Sequence, residues 1–228
     1  MNEQVVEILE KHSELLYLHE KESLSGRIYI DEDDYYSVLI DFSDFPTFFP
    51  KVFEVGERIP QKADRHINSD LSCCFTTPAK ECIYLKSEVK TLYDFIEKIL
   101  IPYLQNNSFY ELNGCYKCGE YSHHPEMATY ETYKEILGIK SLNLMCQLLY
   151  ERIELKKKIR PNDLCYCKEK KIKNCEEHKT NYHNFKKISL PVLKQDYAHL
   201  YKLLEEYERY RRRSKLNSGY APIRNRKM

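Results

Sequence analysis

The sequence predicts an α+β protein: an N-terminal helix, an antiparallel meander of strands, further helices, and a helical, cysteine-rich extension. Three observations predict it. The segments RIYI (27–30) and YYSVLIDF (35–42) are rich in β-branched and aromatic residues and are joined by the acidic turn DEDD, which is hairpin chemistry. Apolar residues at helical spacing lie on both sides of the strand region. Cysteine and histidine crowd into residues 163–183, a stretch with too few apolar residues to bury a core of its own.

The elements follow in order. Residues 3–22 are predicted as one amphipathic helix, with Val5, Ile8, Leu9, Leu15 and Leu16 near one face and Gly26 as its breaker. After the hairpin comes FPTFFP (45–50), with aromatics between Pro46 and Pro50, then a third strand at KVFEVG (51–56). Residues 57–80 follow neither period and are expected to form a packed loop. Ser87 is a candidate cap for a helix from Glu88 to about Leu104, in which Val89, Leu92, Ile96 and Ile99 share a face. NNSFYELNG (106–114) has the composition of a turn. Helices are expected near 126–137 and 141–157, and a last one from about Leu190 to Lys215, with Leu193, Tyr197, Leu200, Leu204 and Tyr207 inward. Residues 217–228 read as a frayed tail. The expected division is a core over 1–140 and an extension over 141–228, the latter holding the cysteine-rich module (about 160–185) and the last helix.

Composition excludes some classes. The 228 residues carry 36 Lys plus Arg against 35 Asp plus Glu, so no global charge argues for nucleic acid or a membrane surface. Local bias is stronger: six acids and no base over 31–44, eleven bases and five acids over 154–187, eight bases and no acid from Arg209 on. No apolar run approaches the ~18 residues of a membrane span. The opening MNEQVVEILEKHSELL has acids and a helical repeat rather than a signal peptide. Nine cysteines without an export signal imply a reducing, cytoplasmic setting. They are then ligands, a nucleophile, or buried bulk.

The segment RHINSDLSCCF (65–75) places His66, Asn68, Asp70, Cys73 and Cys74 together with little apolar cover. Adjacent cysteines chelate poorly, so this reads as a reaction centre rather than a metal knuckle.

Three stretches then carry a resemblance. FPTFFPKVFEVGERIP resembles the proline-aromatic bend and following strand of the ubiquitin-conjugating (UBC) family. DRHINSDLSCCF resembles its H-P-N element followed by D-G-x-[LI]-C-L, with Ile67 where the family often has Pro and Leu71 where it prefers Gly. YELNGCYKCGEYSHHPEMATYETYKEILG resembles a segment of the bacterial branch with G-E-x-x-H before a helix. In order, and over some 115 residues, these make residues 1–140 similar to a UBC-like core of the kind found in anti-phage (CBASS-type) and ubiquitin-like operons.

The resemblance implies that Cys74 is the nucleophile, Cys73 buried bulk, Asn68 an oxyanion-stabilising or loop-organising amide, His66 a loop residue, and His123 a base or orienting group. It implies thioester formation with the C-terminus of a ubiquitin-like protein or of a CD-NTase and transfer to an amine; since the chain has no G-x-G-x-x-G, either a separate activating enzyme acts or the partner's C-terminus is activated otherwise.

RPNDLCYCKEKKIKNCEEHK resembles the SEC-C zinc module. Cys165, Cys167, Cys175 and His178 form C-x-C-x7-C-x2-H, a donor set suited to structural zinc; His183 is a rival fourth ligand. Cys115 and Cys118 with His123 and His124 offer a second set, which competes with a catalytic His123. A transferase is the leading function. An inactive UBC-like scaffold, or a nucleic-acid or ribosome binder working through the basic module, are the alternatives.

Overall fold

The structure, a computed structural model, describes residues 3–117 and 121–218. It is α+β, and it divides into two compact units: residues 1–123 with 183–189, and residues 124–182 with 190–228.

The first unit opens with α1 (Glu3–Lys11), followed by strands β1 (Leu15–Leu18), β2 (Ser23–Tyr29), β3 (Tyr35–Asp41) and β4 (Lys51–Glu54). Each strand pairs antiparallel with the next, in the order β1-β2-β3-β4. The register Leu24↔Ile40, Gly26↔Val38, Ile28↔Tyr36 puts Leu24, Ile28, Tyr36, Val38 and Ile40 on one buried face. Val5 and Ile8 of α1 and Leu92, Phe95, Ile96, Leu100 and Leu104 join the same core. Burying each such side chain is worth about 1.5–3 kcal/mol. The acidic turn is held by Arg58, which pairs with Asp34 and Glu111 and stacks 4.1 Å over the Tyr36 ring.

Four expectations need correction. The predicted helix over 3–22 ends at Lys11, and 15–18 is a strand. Leu15 is 2% exposed and Leu16 68%, which is the alternation of a strand and not the face of a helix. Gly26 is therefore a pairing residue rather than a breaker. A Cβ there would lie 2.0 Å from the Glu14 carbonyl oxygen, and its φ is +147°. The end of the predicted 57–80 loop is α2 (Pro78–Ser87), entered through Pro78. The next helix begins at Leu92, not Glu88, because Thr91 and Asp94 form a reciprocal capping box. It runs as α3 (Leu92–Phe95), a π-turn (Ile96–Leu100) and α4 (Ile101–Asn113). NNSFYELNG is thus mostly helix and not a turn. Asn107 is buried there, donating to Tyr103 O at 3.2 Å and accepting from Arg65 at 3.1 Å, so tertiary contacts override local composition.

The second unit contains α5 (Pro125–Leu137), α6 (Leu142–Ile153) and α8 (Leu190–Ser218), with α8 lying along both of the others. Leu193 and Leu200 are buried, whereas Tyr207 is 56% exposed, so the inward stripe of the last helix stops short of its predicted end. Asp196 is buried and accepts the Tyr133 hydroxyl at 2.8 Å. The short helix α7 (Lys179–Lys187) crosses the division between the units. No helix among the described residues is long and apolar enough to cross a membrane. The expected tail from 219 on, and Cys118 with the Gly119–Glu120 pair of the G-E-x-x-H motif, lie outside the described residues.

Candidate functional site

The loop that carries Cys74 is built from short backbone pairings. A 3-10 turn over Ala63–Arg65 ends at His66, whose φ of 53° is left-handed. Arg65 is buried beneath it, stacked 4.3 Å over Tyr110. Ile67 and Cys73 then face one another in an isolated antiparallel bridge. Asn68 N–H donates to Ser72 O at 2.8 Å, and Leu71 N–H donates to Asn68 O at 3.0 Å, which closes the turn between them. Leu71 has φ of 69°, the conformation that glycine adopts without cost. Asp70 braces the turn by accepting Ser72 Oγ at 2.6 Å and Lys51 Nζ at 3.0 Å. These partners pull its carboxyl down to about 2.

Two bonds fix the cysteines. Cys73 N–H donates to Val52 O on β4 at 2.7 Å, and Cys74 N–H donates to His66 O at 2.7 Å. The same His66 oxygen accepts the Tyr103 hydroxyl from α4 at 3.0 Å. Tyr103 also sits against the Cys73 thiol, and its ring meets Phe75 edge-on at 5.1 Å. One helical side chain therefore touches the residues on both sides of Cys74 and the carbonyl that holds Cys74.

The adjacent thiols differ in exposure, although both residues line one cleft. Cys73 is 4% exposed within the hydrophobic core, and burial pushes its thiol up to about 12. Cys74 lines an open cleft of about 630 Å³, together with Phe49, Lys51, Asn68, Asp70, Thr76 and Glu81. That volume suits a peptide or small-molecule segment. Burial raises the Cys74 thiol as well, which disfavours thiolate.

The remaining sequence-predicted residues divide. Asn68 shares the cleft with Cys74, and its amide nitrogen donates to Ser72 Oγ at 3.1 Å and Cys73 O at 3.4 Å. In this state the amide organises the loop. His66 and His123 are brought to each other, with ring centroids 5.8 Å apart, and His66 also packs 5.0 Å from Tyr116. Neither imidazole lines the cleft that holds Cys74. Cys115 is exposed. Two cleft-associated residues escape sequence reasoning, Tyr103 and Glu81. Glu81 becomes findable only once α2 is recognised, because the helix is what turns its side chain toward the loop.

The second candidate site is the cluster of Cys165, Cys167, Cys175 and His178, whose donor atoms all lie within 4.8 Å of one another. A tight loop delivers them. Leu164 bridges Lys171, Cys165 N–H donates to Lys170 O at 2.9 Å, and Lys168 takes φ of 63° to turn the chain. Cys175 closes a 3-10 turn over Ile172–Asn174, and His178 N–H returns to Cys175 O at 3.2 Å. Tyr166 packs 4.4 Å from the His178 ring, and its hydroxyl donates to the Leu137 carbonyl, which also accepts Asn181 Nδ2 at 2.8 Å. The loop is thereby fastened to the end of α5.

The donor geometry fits a tetrahedral ion. Bonds of about 2.3 Å to sulfur and 2.0–2.1 Å to nitrogen predict edges of about 3.8 Å between sulfurs and about 3.5 Å from sulfur to nitrogen. The observed edges are 3.9 Å for Cys167–Cys175, and 3.5 and 3.3 Å from His178 Nδ1 to Cys165 and Cys175. His178, and not the exposed His183, supplies the imidazole. Burial raises the Cys165 thiol; a cation held by the cluster would reverse that preference and keep the thiols as thiolates. Exposed Lys168, Lys170, Lys171 and Lys173 surround the loop and offset the excess negative charge. The cluster can hold a metal ion.

Comparison with known protein families, with curated proteins and with solved structures finds no match for this chain.

Proposed function

We propose that the first unit is a cysteine acyl carrier of the ubiquitin-conjugating type. Cys74 takes the C-terminal acyl group of a partner protein as a thioester and passes it to an amine. The observation that carries this reading is the difference in exposure between neighbouring thiols that line one open cleft: Cys73 is buried in the core, whereas Cys74 is only half-buried. A thiol that exchanges acyl groups between two proteins must be reachable from solvent and held in place. The order of helix, four-stranded meander, His-x-Asn turn, cysteine and helix supports the same reading. Asn68 has the side chain to donate to the oxyanion that forms at the carbonyl, once its bonds to the loop are exchanged for that contact. The partner in this reading is a ubiquitin-like protein or the tail of a CD-NTase, activated by another chain, in bacterial antiviral defence.

In the second unit the metal is zinc. Three sulfurs and one imidazole favour it, with three of the six donor separations near tetrahedral edge lengths and all of them within 4.8 Å, and a complete set of four protein ligands makes its role structural. The ion would tie residues 165–178 into a folded loop and takes no part in acyl transfer.

The test uses a short peptide thioester of mercaptoethanesulfonate as acyl donor. Intact mass should show one acyl adduct that thiol reductant removes. Cys74→Ala should abolish the adduct, whereas Cys73→Ala should retain it and lose on the order of 1 kcal/mol of stability to the cavity. An adduct that depends on Cys73, or none on the wild type, sinks the reading. The second outcome leaves an inert UBC-like scaffold.

A further inference from the structure

The proposed transfer needs more than a thiol. An acceptor amine is an ammonium ion near neutral pH, with a pKa of about 10.4 for a lysine side chain, and an ammonium has no lone pair to attack with. Some group must take its proton. His123, the imidazole that the resemblance offers for this, does not line the cleft, and neither does His66.

Glu81 does line it. The helix α2 begins at Pro78, so Glu81 lies in its first turn, directly after the loop that carries Cys74. One carboxylate oxygen, Oε1, accepts the Phe49 N–H at 2.7 Å, which fixes the side chain against the cleft wall. The second oxygen is neither hydrogen-bonded nor fully buried, and it belongs to a residue that lines the cleft. The other charged groups facing the cleft are differently engaged. Asp70 is tied to Lys51 and Ser72, and Asp41 accepts from Ser43 at 2.8 Å. Asp44 is exposed on the rim.

We propose that Glu81 is the proton acceptor for the amine that discharges the acyl group from Cys74. The inference rests on the acyl-carrier reading above. Glu81 takes one proton from the ammonium, the amine nitrogen so freed forms the C–N bond at the thioester carbonyl, and the surplus proton then left on that nitrogen passes to water. The C–S bond then breaks, with its electron pair remaining on Cys74 as thiolate. Glu81 returns the proton to that thiolate or to water, so the enzyme ends as it began. Burial raises the carboxyl above its ordinary range, partly offset by the Phe49 N–H, which makes it a better base than a solvated glutamate.

The experiment separates loading from discharge. Full-length wild type and Glu81→Gln are loaded with the peptide thioester, freed of excess donor, and discharged onto free lysine or onto hydroxylamine at pH 7. Glutamine keeps an oxygen for the Phe49 N–H but cannot take a proton. Hydroxylamine is already neutral at that pH and needs no base. Discharge onto lysine should slow roughly ten- to a hundredfold in Glu81→Gln, while loading and discharge onto hydroxylamine stay within about twofold of wild type. A shallower loss at pH 9 than at pH 7 should accompany it, because solvent then supplies the neutral amine. Equal lysine discharge by the two proteins overturns the inference and leaves the carrier reading intact. Equal slowing with both nucleophiles assigns Glu81 a purely structural role and also overturns it. No adduct on wild-type Cys74 removes the carrier reading, and this inference with it.

Discussion

The protein uses cysteine in two regions and in two opposed ways. Around Cys74 a half-buried thiol lines an open cleft, and several polar neighbours shape the loop: Cys74 N–H and the Tyr103 hydroxyl converge on one carbonyl, and Asp70 holds Ser72. Around Cys165, Cys167 and Cys175 the thiols face each other and one imidazole, with Cys165 and Cys175 buried. Both loops are short and lie beside helices. The difference is where the sulfur lone pairs point. Convergent thiols bind a cation and become unreactive, whereas a solitary thiol stays available. Local company, not residue type, decides which chemistry a cysteine has.

The largest expected effect breaks the second region and spares the first. Freshly purified protein should contain about one zinc per chain. Removing it with a chelator, or by Cys175→Ser, should unfold residues 159–182 and cost several kcal/mol, given that zinc binding in comparable peptide loops is worth about 10 kcal/mol or more. Cys74→Ser should leave the zinc content unchanged. Elemental analysis together with proteolysis of the loop checks both, and a zinc loss on Cys74→Ser would erase the distinction between the regions.

The next effect is in pH. Burial lifts the Cys74 thiol, so its thiolate fraction at neutral pH is below that of free cysteine. Alkylation of Cys74 by iodoacetamide should rise about tenfold per pH unit through pH 8.5, where a free thiol begins to level off. The zinc-bound cysteines should stay unlabelled across that range until chelator is added. Cys73 adds a stability term of definite sign. Its folded thiol lies near 12 against an ordinary 9.0. The folded state then holds a proton that the unfolded state has lost, and stability falls as pH climbs from about 9 towards 12. Cys73→Ala should flatten that alkaline limb of the melting curve.

A smaller effect tests how Cys74 is held. Tyr103→Phe keeps the ring against Phe75 and removes the hydroxyl that bonds His66 O, reaches Arg65 O and sits against the Cys73 thiol. Net hydrogen-bond values of about 1 kcal/mol predict a melting point lower by a few degrees and acyl discharge slowed several-fold. If the loop simply opens instead, alkylation of Cys74 should accelerate by a similar factor. Slower discharge with unchanged alkylation identifies Tyr103 as a positioning residue.

These two regions were not equally legible in the sequence. The metal cluster is local: four ligands within fourteen residues carry their geometry in their spacing, and His178 rather than His183 needed only the final turn to be decided. The strands were readable over 27–29, 35–41 and 51–54 from alternation and the acidic turn, whereas the start of β2 (23–26) and LLYL (15–18) were hidden because the leucines of LLYL extend the helical pattern before it and Gly26 reads as its breaker. The Cys74 site is assembled from distance. Tyr103 comes from a helix 29 positions on, and its neighbour Asn107 lies in a segment whose Asn and Gly content mimics a turn. Glu81 was obscured for a third reason, since α2 buries only Ala79 completely and so shows no strong apolar period.

The smallest effect concerns a feature that the regions share. Each loop places a residue with a side chain in the left-handed conformation, Leu71 at φ 69° and Lys168 at φ 63°. That conformation costs a non-glycine residue roughly 1–2 kcal/mol. Leu71 is 49% exposed and so recovers little by burial. Glycine relieves the strain but gives the unfolded chain more freedom, a cost of about 0.5–1 kcal/mol. Leu71→Gly should therefore stabilise the first unit by about 0.5–1 kcal/mol, read as a higher melting point. Lys168→Gly should gain the same amount by that arithmetic in the metal-bound protein, less the favourable field that its charge provides beside three thiolates. The two substitutions differ in that last term alone, so high salt, which screens the exposed lysine, should bring them together. A destabilising Leu71→Gly would mean that the leucine side chain holds the Cys74 loop through a contact worth more than its backbone strain.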